Sequence, residues 1–354
     1  MQLLKLTNIS LRAVYSCLGD IKLDNLETCK KLYGDSAENV IKGTGFEYRN
    51  VVSPGVSSLD LCCQAAEQLL NDTQTNREDI GAVICVTFTP EYLMPCNACG
   101  AQARLNLSKD ILAFDIGLAC SGYAYGFYIA GMLANQLKKK VLLLDGDIQT
   151  AYLSHQDKAT EPVMGDAGSA TLIDYDPDDN REWYFTFLTD GSLREILYMP
   201  AGGSKKPVTE EDLELKASED GSKRRNCDIF MDGFGVFKFV ASQATNLIMN
   251  FMKEINIDPD SLDAFVPHQA NIYMVKQMAK RLKIAPEKVW ISGDTFGNSS
   301  SATVPVTMSY EGEKDIKGKG KMIFSGFGGG MSVSVGFGYI PDTCQFKCST
   351  YNKQ

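Results

Sequence analysis

The sequence repeats its own order of elements, and that duplication constrains the fold more than any other feature of its 354 residues. NREDIGAVICVTFTP (76–90) is matched by DPDSLDAFVPHQA (258–270), and GDAGSATLIDY (165–175) by GGGMSVSVGFGYI (328–340). In the front portion the helix LDLCCQAAEQLLND leads into the apolar strand IGAVICVTFT. The helix NACGAQARLNL, the strand ILAFDI, the helix CSGYAYGFYIAGMLANQLKKK and the strand KVLLLDGDI follow. The back portion reads as the helix FKFVASQATNLIMNFMKEI, the strand AFVPH, the helix QANIYMVKQMAKRLK, the strand KVWIS, the helix SSSATVPVTMSYE and the strand GKMIFSGF. Alternation of helices with buried strands predicts two similar α/β halves, 1–178 and 179–354. Between the repeats, WYFTFLTDGSLREILYMP reads as strand, turn and strand, and the polar stretch at about 199–226 as a surface excursion.

Composition removes several classes of function. A hydrophobic content of 44% is ample for a packed core. Forty-four acidic against 35 basic residues leave a net charge of −9, which repels phosphate backbones and anionic lipid, so neither nucleic acid nor a membrane is an expected partner. No run of about 18 uncharged apolar residues suggests membrane insertion, and the start has no basic stretch leading into one, so the chain is expected to be soluble and cytoplasmic. Eleven cysteines are scattered and are expected to be reduced and mostly buried. Cys96 and Cys99 form the one isolated CxxC, with no second pair at metal-site spacing, so no metal is expected.

Imidazole chemistry has two possible addresses, His155 and His268. Cys120 falls where ILAFDI ends and a small-residue helix begins, so its sulfur is expected at a positive helix pole that favours thiolate; the competing reading is an inert core cysteine. His268 follows AFVP directly, beside Gln269 and Asn271, and Asn298 follows in GDTFGNSSSATVP. The C-terminal strand ends of a duplicated α/β fold converge on one crevice, which predicts that the thiol, imidazole and amide meet. His155, in SHQDKATE, reads as a rim residue.

DIGLACSGYAYG, VPHQAN, FGNSSSATVP and FGGGMSVSVG, with TGFEYRN and MGDAGSATL, resemble the β-ketoacyl-acyl-carrier-protein synthase III group of the thiolase superfamily, in order and over nearly the whole chain. The resemblance implies a five-layered αβαβα thiolase-like fold and a homodimer. It makes Cys120 the nucleophile that takes an acyl group from a thioester, and His268 and Asn298 the donors to the malonyl thioester oxygen during decarboxylation. The oxyanion donors would be the backbone N–H groups of Cys120 and Gly329, the latter where a side chain would block approach. Substrates would be acyl-CoA or acyl-carrier-protein thioesters, with no cofactor. Met94, aligned with a residue that reaches across the dimer, would shape the acyl pocket with Met164 and Phe327.

No second cysteine lies around Gly328 to Gly338, as a degradative thiolase would require, and His155 lies outside the motifs, so a Cys-His-His elongating enzyme is not matched. The family's adenine-stacking Trp and phosphate-binding Arg are replaced by Asn39 and Gly43 in ENVIKGTGF, and a second Arg by Lys158, which weakens CoA binding and favours a carrier-bound donor. The Arg two residues after HQAN is Tyr273; Lys276, Lys280 and Arg281 on the same helix supply replacement charge toward an acidic carrier, or form a solvated face. The 199–226 excursion is either a solvated insertion or a flap that helps recognise the carrier. Two rival functions are an acyltransferase to an alcohol or amine with His268 as base, and a catalytically idle scaffold homologue. Glu91 is expected to be a solvated rim carboxylate rather than an acid or base in the crevice.

Overall fold

The computed structural model describes residues 1–314 and 320–353. The first half runs β1 (Leu4–Leu6), β2 (Ile9–Leu18), α1 (Ser58–Asp72), β3 (Ile80–Val86), α2 (Asn97–Arg104), β4 (Leu112–Ile116), α3 (Gly122–Leu137), β5 (Lys140–Ile148) and β6 (Asp166–Tyr175). The second runs β7 (Trp183–Thr189), α4 (Gly233–Phe239), α5 (Thr245–Glu254), β8 (Ala264–Pro267), α6 (Ile272–Leu282), α7 (Thr303–Glu313), β9 (Lys321–Gly328), β10 (Ser332–Tyr339) and β11 (Gln345–Thr350). One sheet has the order β11-β2-β6-β5-β3-β4 and the other β1-β7-β10-β9-β8. In both, a parallel pair (β3 with β5, β8 with β9) is followed by two antiparallel neighbours, so the sequence repeat is a repeat of sheet topology.

Five layers result. Helix α1 covers the outer face of the first sheet, and α5 and α6 cover the outer face of the second. Between the sheets lie α3 and α7, whose Phe127 and Met308 pack with Ile84 and Val141 of one sheet and Phe324 of the other. Helix α3 is apolar on nearly all sides because both its faces meet a sheet. The five-layered fold from two duplicated halves is therefore present. The halves also exchange end strands: β1 pairs with β7 of the second sheet, and β11 with β2 of the first.

Two elements differ from expectation. KVWIS makes only a single parallel bridge, Phe265 to Val289, because a tight turn at Pro286–Lys288 precedes it and the chain then bends into the short helix Gly293–Phe296. The expected helix FKFVASQATNLIMNFMKEI is continuous but widens at Val240–Ala244, where Thr245 Oγ1 donates to Val240 O at 2.9 Å. The 199–226 excursion is tied down: Lys223 N–H donates to Gln156 O (3.0 Å), Ser154 Oγ to Lys223 O (2.5 Å), and Arg224 pairs with buried Asp157 (3.2 Å).

Candidate active site

Small residues let one turn of the first half lie directly against the second sheet. Gly122 N–H donates to Ala119 O at 2.7 Å, closing the turn that delivers Cys120 to the start of α3. Ser334 Oγ donates to Ser121 O (2.7 Å), and the Ser121 and Ser332 hydroxyls bond each other (2.6 Å), so β10 holds the turn in place. A Cβ on Gly328 would stand 2.6 Å from Cys120 Cβ and 3.0 Å from its Sγ. Gly329, the expected site of such a block, would meet nothing closer than 3.9 Å. Within the protein, the close approach to Cys120 is therefore at Gly328, a position the sequence expectation for Gly329 did not include.

His268 leaves the end of β8 with its N–H on Ser325 O (2.7 Å), and its Nδ1 lies 2.6 Å from Thr303 Oγ1. The edge of Phe327 packs against the imidazole, with centroids 5.3 Å apart at 75°. Thr303 Oγ1 also lies 2.9 Å from Ser300 O, so its single proton has two acceptors. Directed at Nδ1, that proton leaves Nε2 as a donor; directed at Ser300 O, it leaves Nε2 as an acceptor.

Asn298 belongs to the second half but is clamped by the first. Its N–H donates to Val163 O (2.9 Å), and its carbonyl accepts from Gln149 Nε2 (2.6 Å) and Gly165 N–H (2.7 Å). Ser300 N–H donates to its Oδ1 (2.9 Å), which orients the amide and leaves Nδ2 for a ligand oxygen. Cys120, His268 and Asn298 line one cavity of about 510 Å³, together with Met164, Phe327 and Gly329.

The electrostatics of the site are those of a dry interior. Burial pushes the Cys120 thiol up to about 12; Ser300 and the cysteine's own backbone N–H oppose this, while Asp147 and Asp145 add to it. Desolvation is the largest influence on the Cys120 thiol, and it opposes the thiolate character that a helix pole favours. Burial lowers His268 to about 3, so its imidazole is neutral at physiological pH. Asp145 and Asp147 sit two residues apart on β5, and burial raises both, Asp147 to about 6. Periodicity had marked this strand as plain core; only tertiary packing reveals the acid pair behind the nucleophile. Ser300, Thr303 and Gln149 were missed for the same reason.

Other candidate residues lie elsewhere. Met94 is 86% exposed and outside the cavity of its own chain, on a loop where Tyr92 and Leu93 are also exposed. Glu91 accepts from Arg104 Nη2 (2.9 Å) and Ser57 Oγ (2.5 Å), which hold its carboxylate, and it does not line the cavity. His155 is exposed, with its Nδ1 3.1 Å from Glu161, and lines a separate surface pocket with Arg49 and Pro54. Lys158 Nζ donates to Asp220 O (3.1 Å), so the excursion holds the ammonium. Tyr273, Lys276 and Lys280 are exposed on α6, whereas Arg281 is drawn onto the neighbouring helix through Ala241 O and Asn246 Oδ1.

A duplicated five-layer α/β fold with a thiol, an imidazole and an amide opening on one largely apolar cavity defines an acyl-transferring condensing enzyme of the thiolase type. Residues 114–191 match the sequence profile of 3-oxoacyl-[acyl-carrier-protein (ACP)] synthase III, and residues 252–337 that of its C-terminal part. The chain is 32% identical over 307 residues to the β-ketoacyl-[acyl-carrier-protein] synthase III of Aliarcobacter butzleri (strain RM4018), covering 86% of this chain and 89% of that relative. It is 29% identical over 337 residues to the protein of that name from Phocaeicola vulgatus, covering 94% and 97%. A crystal structure of a 3-oxoacyl-(acyl-carrier protein) synthase from Burkholderia xenovorans LB400 superposes with a TM-score of 0.91 at 28% identity, covering 99% of each chain. The chain belongs to the β-ketoacyl-[acyl-carrier-protein] synthase III family.

Proposed function

We propose that this enzyme forms a carbon–carbon bond by decarboxylative Claisen condensation of an acyl group held on Cys120 with a malonyl-carrier thioester, giving a 3-oxoacyl thioester in fatty-acid initiation. The observation that carries the reading is the shared cavity lined by Cys120, His268 and Asn298. Cys120 attacks the acyl thioester, and the backbone N–H groups of Cys120 and Gly329 receive the oxyanion. The malonyl thioester then loses CO₂, and its enolate oxygen is held by Asn298 Nδ2 and by His268 Nε2–H, the tautomer obtained when Thr303 donates to Nδ1. A neutral imidazole stabilises the enolate without quenching the carbon that must attack. No cofactor enters this sequence.

Lys158 is occupied by the excursion, which supports a carrier-bound acyl donor over CoA. Exposed Tyr273, Lys276 and Lys280 would meet the acidic carrier. A homodimer would cover the exposed Tyr92–Met94 loop and Leu112 on edge strand β4, bringing Met94 to the partner's acyl pocket. Among the described residues no helix is long and apolar enough to cross a membrane, which is compatible with a cytoplasmic enzyme. Intact-mass spectrometry with a panel of acyl-CoA and acyl-carrier thioesters tests the reading, with CO₂ release from labelled malonyl carrier as the second readout. The expected result is an adduct lost in Cys120→Ala and CO₂ release that depends on His268 and Asn298. Acyl transfer without CO₂, or no adduct at all, overturns it.

A further inference from the structure

A neutral imidazole carries one proton for two nitrogens, and His268 can donate to an enolate oxygen in the cavity only if that proton sits on Nε2. In a buried histidine the nitrogen that keeps the proton is set by what the other nitrogen meets. Nδ1 of His268 meets Thr303 Oγ1 at 2.6 Å, and both residues are buried. A hydroxyl that donates there holds the Nδ1 lone pair and leaves the proton on the far side of the ring.

The surroundings of Thr303 decide where its hydroxyl proton goes. Three groups face Oγ1: the imidazole, the N–H of Gln269, which donates to it at 3.3 Å, and Ser300 O at 2.9 Å. The oxygen therefore already accepts from the residue next to the histidine, and its own proton is left for Nδ1 or for Ser300 O. Ser300 O does not depend on it, because the backbone N–H of Thr303 donates to the same carbonyl where the chain enters α7. Among the described residues Nδ1 has no other donor. The contact to Nδ1 is also the shorter of the two. A threonine at this point is stiff about its first side-chain torsion, so the oxygen stays between the ring and the turn instead of swinging away.

We propose that Thr303 is a positioning residue for the condensation: its hydroxyl donates to Nδ1 of His268 and so keeps the ring proton on Nε2, where the malonyl enolate oxygen needs a donor. The proposal rests on the condensing function above. It separates the two half-reactions, because acylation of Cys120 draws on backbone N–H groups and needs no particular tautomer, whereas decarboxylation needs the Nε2 proton. Without the hydroxyl, the nearest partner of Nδ1 is the Ser300 backbone, which also acts on the ring. A carbonyl can only accept, so the proton would move to Nδ1 and Nε2 would face the enolate with a lone pair.

The test reads the tautomer directly. The chain has two histidines, so in a His155→Gln background long-range ¹H–¹⁵N spectra of the histidine-labelled protein report His268 alone. The wild type is expected to show a protonated Nε2 and an unprotonated Nδ1. Thr303→Val keeps the shape but not the hydroxyl, and is expected to exchange the two. The same variant should lose about 100-fold in CO₂ release from malonyl carrier, the order of loss for one oxyanion donor, while acylation of Cys120 stays within about threefold. Thr303→Ser, which keeps the hydroxyl, should restore both the tautomer and most of the rate. A wild-type spectrum with the proton on Nδ1 overturns the proposal, and that result needs no variant to fold. A valine variant with CO₂ release unchanged, or with release lost but the tautomer unchanged, overturns it as well. An Nε2-protonated wild type that releases no CO₂ from malonyl carrier keeps the Thr303 assignment and overturns the condensing function instead.

Discussion

Gly328 and Gly329 are neighbours in one turn, yet they do different work. The first is the floor on which Cys120 rests, and any side chain there must displace the nucleophile. At the second, an added Cβ would meet no protein atom closer than 3.9 Å. Gly328→Ala is therefore expected to lower the rate of acyl-adduct formation by about 100-fold, the order of loss that accompanies a displacement of about 1 Å at a reacting centre. Gly329→Ala should stay within roughly threefold of wild type by the same argument. Rapid-quench mass spectrometry of both variants checks this; equal losses would mean that the N–H geometry and not the floor is limiting. At this scale the sequence disclosed Cys120, His268 and Asn298, because thiol, imidazole and amide groups at strand ends are few and chemically distinctive. It did not disclose Ser300, Thr303 or Asp147. Hydroxyl and carboxyl residues are common in turns, and their value here comes from partners 35 to 180 positions away.

Helix α3 joins the two ends of this chemistry, carrying Cys120 at its head while its body fills the space between the sheets. Phe127 is fully buried there, stacked on Trp183 at 4.8 Å and tilted against Phe324 at 5.4 Å. Phe127→Ala would open a cavity shared by both sheets and cost about 3–5 kcal/mol of unfolding free energy. Urea unfolding measures that directly, and a loss below about 1 kcal/mol would show that the middle layer collapses to fill the gap. The helices α1 and α6 were readable from their period and α3 from its length and apolar content, as were strands β3 to β10, whereas β1, β2 and β11 were not read as strands. KVWIS was misread because its apolar run, Val289 to Ile291, is three residues long and has no period that separates a strand from a buried loop. The widened turn at Val240–Ala244 was invisible because apolar spacing continues through it while one residue is inserted into the backbone ladder.

At the scale of the whole molecule, duplication explains why the cavity exists: β3 and β8 end at equivalent points of two like sheets, and the exchange of β1 and β11 fastens one half to the other. The boundary expected from sequence at 178/179 is crossed by both exchanged strands, β1 pairing into the second sheet and β11 into the first. The same packing places an acid pair in the interior, and that has a consequence for global stability. Burial raises Asp145 well above the usual carboxylate range, and among the described residues Asp145 Oδ2 has no hydrogen-bond partner. Above the unfolded value of about 3.9, the folded chain therefore holds a proton that the unfolded chain has released. The contribution of Asp145 to stability accordingly falls as pH rises, by up to about 1.4 kcal/mol per unit until its folded pKa is reached. Asp145→Asn removes this titration while Asn Oδ1 still accepts from Ser301 Oγ, which stands 2.5 Å from Asp145 Oδ1. Equilibrium urea unfolding at pH 5.5 and 7.5 is expected to show the variant gaining on wild type by as much as about 2.7 kcal/mol between the two conditions. A difference that is constant with pH, or that shrinks toward pH 7.5, would mean that the folded state carries Asp145 as a carboxylate.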